Sequence, residues 1–122
     1  MGGRSPATLK QLATLQVEAG QKPEAAATLA RLNLIAPNDE DLHRRLGALL
    51  LETGNNAGAV REWQAVAAMK PVDPAGANYE LARALKAVGR KDDAREAVLN
   101  ALESAPGYKP AQRLLLELDG KD

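Results

Sequence analysis

The stretch LGALLLETGNNAGAVREWQAVAAMKP, residues 46–71, decides the fold. It opens on Leu46-Gly47, passes Gly54 and Ala59, and closes on Pro71. The same landmarks stand upstream as Leu12-Ala13, Gly20, Ala25 and Pro37, and downstream as Leu81-Ala82, Gly89, Ala94 and Pro106. Successive copies lie 34 and then 35 residues apart. Self-similarity at this period marks one supersecondary unit stacked on its neighbours, because a unit this small cannot bury its apolar face alone. Such an array usually presents a surface rather than performing chemistry.

Each unit divides into two helical runs. In the first, Ser5-Pro6 supplies a cap and a first-turn proline, and Leu9, Leu12, Ala13 and Gln16 share a face up to Gly20. Its second run starts near Pro23 and carries Ala26, Leu29, Ala30, Leu32 and Ile35 until Pro37. The second unit reads as helices over about 39–53 and 57–69, and the third over about 74–88 and 92–104. A last run, 109–118, begins like another first helix and has no mate. About seven antiparallel helices result, in one domain over 5–118, with units at about 6–39, 40–74 and 75–108. Residues 1–4 read as a loose or artificially added start, and 119–122 as a tail.

Composition agrees. Aromatic residues make up 2% of the 122 and Phe is absent, so Ala and Leu supply most of the apolar content. These are good helix formers, whereas a sheet draws on the β-branched and aromatic residues that are scarce here. Sixteen basic residues balance sixteen acidic ones, which argues against nucleic acid or an anionic membrane as partner. No apolar run approaches a membrane span, and no signal-peptide core opens the chain. The absence of cysteine excludes disulfides and thiolate catalysis. The expected chain is soluble, cytoplasmic or, if a signal segment has been removed, periplasmic.

On these landmarks the chain resembles the tetratricopeptide-repeat family, whose pattern is W-x2-L-G-x2-Y, then A-x3-F, then P. The second unit matches best, with Leu46-Gly47, Leu50 for the Tyr, Ala59, Trp63 for the Phe, and Pro71. The leading Trp is replaced by Leu9, His43 and Asn78, and the Tyr is never present. The resemblance implies an all-α, right-handed superhelical solenoid of three helix pairs with a capping helix. It places Gly47 where two helices nearly touch and Trp63 at a buried position. Gly58 is expected on an exposed helix start, free to become Ala.

The resemblance also implies a non-catalytic scaffold that binds a peptide or protein segment in a concave groove lined by the first helices. The groove residues expected to carry binding are Lys10, Thr14, Arg44, Arg45, Tyr79, Arg83, Lys86, Arg113 and Leu114. They form a mildly basic patch suited to a carboxylate-bearing segment, unless neighbouring charges simply pair with each other. Leu114 is expected to be exposed at the groove end. Chaperone-binding members clamp a C-terminal carboxylate at positions corresponding to Lys10, Thr14, Arg45, Gly76 and Glu80. One clear match in five disfavours that partner. The alternative is a module for self-association or for intramolecular assembly of a larger protein. Its Ala/Arg-rich, Cys-free character fits bacterial members of the family.

No catalytic, metal or cofactor site is expected. His43 is the only histidine, and Asp39, Glu40 and Asp41 beside it belong to a first helical turn, where acidic residues favour the helix dipole. Gly54-Asn55-Asn56 is a turn with no following Lys-Ser/Thr, so it is not a phosphate loop.

Overall fold

The computed structural model describes residues 5–120, so the expectations for 1–4 and for the end of the tail lie outside the described residues. Seven helices follow in order: α1 (Pro6–Glu18), α2 (Lys22–Ile35), α3 (Glu40–Glu52), α4 (Asn56–Ala68), α5 (Pro74–Ala87), α6 (Lys91–Ser104) and α7 (Lys109–Leu118). No strand occurs among the described residues.

Local chemistry sets the helix ends. Ser5, Asp39, Asn55 and Asp73 each accept the backbone N–H three residues on, closing the N-termini of α1, α3, α4 and α5. Such a cap is worth about 1 kcal/mol. The first helix of every pair ends on a glycine at positive φ, 78° at Gly20, 89° at Gly54 and 83° at Gly89. The chain then folds back so that Gln21, Asn55 and Arg90 donate to the carbonyls of Gln16, Leu50 and Leu85. This satisfies carbonyls the helix would leave unpaired, in a conformation that only glycine adopts without strain.

Helices pair as α1–α2, α3–α4 and α5–α6, the pairs stack through α2–α3 and α4–α5, and α7 packs on α6 and α5. One buried cluster joins Leu9, Ala13, Leu29, Leu32, Leu42 and Leu46. A second runs from Ala59, Trp63 and Val66 through Leu85 and Val98 to Leu114 and Leu118. Half-buried Leu50 touches both clusters, so the core is continuous along the stack.

Gly47 and Trp63, which the resemblance implied at a close helix contact and a buried position, meet each other. A Cβ at Gly47 would stand 2.6 Å from Trp63 Nε1 and 2.9 Å from Cδ1. The indole is buried and cannot swing aside, so α3 and α4 must part. Gly47→Ala is expected to cost about 1–3 kcal/mol, and Gly47→Leu more, in urea unfolding. A harmless Gly47→Leu would mean that α3 and α4 are not paired in this register.

Three expectations are corrected. Gly58 is buried, and a Cβ there would lie 3.0 Å from the side chain of Asn55, the residue that caps α4. It is therefore not an open position free for Ala. Leu12 shares the run of Leu9 and Ala13 but remains 38% exposed, because it falls outside the face of α1 that contacts α2. Ala30 and Ile35 of α2 are exposed for a similar reason: they fall outside the face that contacts α1 and α3.

Candidate functional site

The first helices line a row of three clefts. Between α1 and α3 lies a cavity of about 420 Å³ with Ala13, Val17, Leu29 and Leu49 as its apolar lining and Thr14, Glu18 and Arg45 as its polar groups. Between α3 and α5 lies one of about 530 Å³, lined by Arg44, Arg45, Ala48, Leu51 and Arg83, the carboxylates of Asp41, Glu52 and Glu80, and Trp63. Between α5 and α7 lies one of about 400 Å³, lined by Tyr79, Arg83, Lys86, Pro110, Arg113, Leu114 and Glu117. Arg45 belongs to the first two and Arg83 to the last two, so the clefts are contiguous.

The charges in this row are largely paired within the chain. Lys10 Nζ lies 2.7 Å from Asp39 and 3.4 Å from Asp41. The close Asp39 carboxylate holds the Lys10 pKa above its ordinary value, and Lys10 holds that of Asp39 below. Arg44 bonds Glu40 at 3.0 Å, and Arg45 bonds Asp41 at 2.9 Å and donates to Thr14 at 3.2 Å. Arg83 meets Glu80 and Lys86 meets Glu117, both at 2.8 Å. Among the described residues Arg113 alone of these cations has no carboxylate within ion-pair distance. The central cleft sets three arginines against three carboxylates, so the expected basic patch is neutralised in place. Exposed pairs of this kind are worth about 0–1 kcal/mol each, so a partner's charges can exchange into them at small cost.

Eight of the nine expected residues line the clefts, while Lys10 stands apart in its pairs with Asp39 and Asp41. Leu114 is corrected. It is 5% exposed, packed into the core with Ala111 and Leu118, and Leu116 is the leucine of α7 that faces out, at 60%. Ala111, Leu114 and Leu118 follow the three- and four-residue steps of one helix face, and that face is the one α7 lays on α6. Trp63 is 4% exposed, as expected, yet it also borders the central cleft, with the Arg44 guanidinium 5.8 Å from its ring centroid. Sequence reasoning did not place Leu29, Leu49 and Pro110 in the groove. Small residues in the same clefts, Ala13 beside Leu29 and Leu49 and Ala87 beside Pro110, were the available signal, since a missing side chain on one helix exposes the floor beneath.

Tyr79 stacks edge-on against Tyr108, with centroids 5.8 Å apart and planes at 88°, and Arg83 lies 5.9 Å from the Tyr79 ring. Burial, with the negative charges of Asp73 and Glu80 nearby, raises the Tyr108 pKa. The pair fixes the wall between α5 and α7.

His43 sits outside the row, 5% exposed. Its Nδ1 lies 2.6 Å from Glu62 Oε1 and its Nε2 2.6 Å from the Pro37 carbonyl. Both nitrogens thus face acceptors, and only the imidazolium can donate to both. This is a structural ion pair tying α3 to α4 and to the turn before α3.

The fold has close counterparts. The chain superposes on MamA 41-end from Desulfovibrio magneticus RS-1 with a TM-score of 0.85 and 24% identity over 96% of its length, covering 66% of that chain. It superposes on YrrB, a TPR protein with an unusual peptide-binding site, at a TM-score of 0.80 and 22% identity, covering 93% of this chain and 58% of that one. It also superposes on the first TPR of Spaghetti (RPAP3) bound to the HSP90 peptide SRMEEVD, at 0.81 and 16% identity over 99% and 95% of the two chains. The fold is the tetratricopeptide repeat. The chain spans slightly less than two thirds of the MamA structure. No protein-family model matches the chain, and no curated protein matches it by sequence. No helix among the described residues is long and apolar enough to cross a membrane.

Proposed function

We propose that this protein is a non-catalytic scaffold whose row of clefts binds an extended peptide or protein segment. The observation that carries the reading is the continuity of the three clefts through Arg45 and Arg83. A single strand of chain lying across α1, α3, α5 and α7 would meet an apolar recess first, then the paired charges, then Arg113. The segment that suits this order has an apolar side chain for the Val17–Leu49 recess and a carboxylate for Arg113, the one groove cation without a carboxylate partner among the described residues. Peptide binding in YrrB and RPAP3 supports the reading through the shared fold. A chaperone C-terminal tail suits it poorly: Lys10 is held by Asp39 and Asp41, and Glu80 stands where that clamp needs a cation.

Selection of a random peptide library on the immobilised chain tests this. The recovered peptides should pair an apolar residue with Asp or Glu. Their affinity should fall at least about tenfold with Val17→Asp or Arg113→Glu, since charge-assisted contacts are worth about 1.5–3 kcal/mol. Arg45→Ala combined with Arg83→Ala should weaken binding less, because those arginines must first leave Asp41 and Glu80. Arg61→Ala, an exposed residue of α4 outside the clefts, should leave it unchanged. Equal losses from Arg61→Ala and from the groove variants would move the binding surface off the clefts.

A further inference from the structure

The outer face of α1 carries Thr8, Leu12, Leu15 and Ala19, spaced three and four residues apart, and all four are exposed. Leu12 is 38% and Leu15 is 55% exposed. The corresponding residues of α3, one repeat on, are Leu42, Leu46 and Leu49, exposed by only 0%, 2% and 7%. Those of α5 are Ala77, Leu81 and Ala84, again buried or half-buried. The stripe on α3 is covered by α2 and that on α5 by α4. α1 therefore turns to solvent the surface on which this chain twice seats a helix. The opposite end of the stack differs. There α7 closes the last pair, and of its exposed residues Arg113 and Glu117 line the groove while Gln112 and Leu116 do not.

We propose that α1 is a homodimer interface, on which a second copy of this chain lays its own α1 antiparallel about a two-fold axis, Leu12 meeting the partner's Leu15. The surface continues the stacking interface already present between α2 and α3. It is also self-complementary in charge. The stripe and its flanking Gln11 and Gln16 are uncharged, so two identical faces meet with no like charges opposed. The charged residues of α1 are turned elsewhere: Lys10 is bound to Asp39 and Asp41, and Glu18 lines the α1–α3 cleft. Head-to-tail stacking is disfavoured, because it would need an open second helix at the far end, where α7 already covers α6. A two-fold contact closes at two copies and leaves the groove clear, since Thr14 and Val17 lie on the opposite side of α1 from Leu12 and Leu15.

Sedimentation equilibrium of the intact chain tests the proposal. The mass should rise with concentration from 12.9 kDa to twice that value. Leu12→Glu with Leu15→Glu should restore the monomer mass while helical circular dichroism stays unchanged, because both side chains are exposed. Leu12→Gln with Leu15→Gln serves the same end if the charged pair perturbs folding. The chain has no cysteine, so the register can also be read by cross-linking. An equal mixture of Leu12→Cys and Leu15→Cys chains should form mixed disulfide dimers faster than either variant alone. A wild-type chain that stays monomeric at high micromolar concentration would overturn the proposal and leave the face to a helix from elsewhere. A dimer that survives the α1 variants but is split by Leu116→Glu would overturn it in favour of the α7 end.

Discussion

Trp63→Ala is expected to lower the unfolding free energy by about 3–5 kcal/mol, the range for deleting a large buried aromatic. Trp63 is the only tryptophan, is 4% exposed, and belongs to the core cluster that joins α4 to α5, α6 and α7. Its edge fills the space that Gly47 leaves on α3. The loss therefore opens a cavity at the junction of the second and third pairs. A domain whose whole stability is about 5–15 kcal/mol would be left marginal. Urea unfolding of both proteins measures the difference, and the native emission maximum of the single tryptophan should be that of a buried indole. A solvent-like maximum in the folded state would contradict this packing.

Trp63→Phe separates size from polarity. The indole Nε1–H is buried with no acceptor among the described residues. Phe removes that orphaned donor, whose burial costs about 1–3 kcal/mol, while keeping most of the ring. The Phe variant should fall well short of the Ala penalty. The same change removes the Nε1 that a Cβ at Gly47 would strike. Gly47→Ala should accordingly cost less in the Trp63→Phe background than in the wild type. Additive penalties would show that the glycine is required for another reason.

Breaking the His43–Glu62 pair should have a comparable effect with a distinctive pH dependence. Both side chains are largely enclosed, 7% and 12% exposed. Burial pulls the His43 pKa down, but hydrogen bonds to Glu62 and the Pro37 carbonyl, with the negative charges of Glu62 and Asp39, outweigh it and hold the pKa above its ordinary value. Folding thus favours the protonated ring. The stabilisation is fully present below the unfolded-state value of about 6.5 and is lost as pH rises through the higher folded value. Glu62→Ala below that range leaves a buried imidazolium without its counter-ion, at a cost of about 3–5 kcal/mol. The cost should shrink toward alkaline pH, where the ring can lose its proton. NMR titration of His43 in the native protein checks the premise, and a pKa at or below 6.5 would contradict it.

Much of the fold was legible because it rests on local chemistry repeated at a fixed period. Gly20, Gly54 and Gly89 end helices wherever they stand, since positive φ is theirs at no steric cost. Ser5, Asp39, Asn55 and Asp73 cap by bonds to residues three positions away. The family resemblance implied a close helix contact at Gly47 and a buried Trp63, and the structure brings the two together. The family resemblance implied a groove lined by the first helices, and eight of the nine residues named for it line the clefts.

What escaped the sequence depended on what lies next to a residue in space. Leu12 and Leu46 hold equivalent positions and read alike, yet one is 38% exposed and the other 2%, because α2 packs on that face of α3 while none of the described residues packs on the matching face of α1. Leu114 and Leu116 sit two residues apart on one run, and the surface of α6 decided which was buried. The groove cations read in the sequence either as a mildly basic patch or as a face whose charges pair with each other. Their side-chain geometry binds Arg44, Arg45, Arg83 and Lys86 to carboxylates and leaves Arg113 free among the described residues. The sequence by itself determined the helices, their caps and their period, since these arise from interactions within a few residues. Tertiary structure alone decided burial, charge pairing and the open α1 face, since each depends on which surfaces meet when the pairs stack.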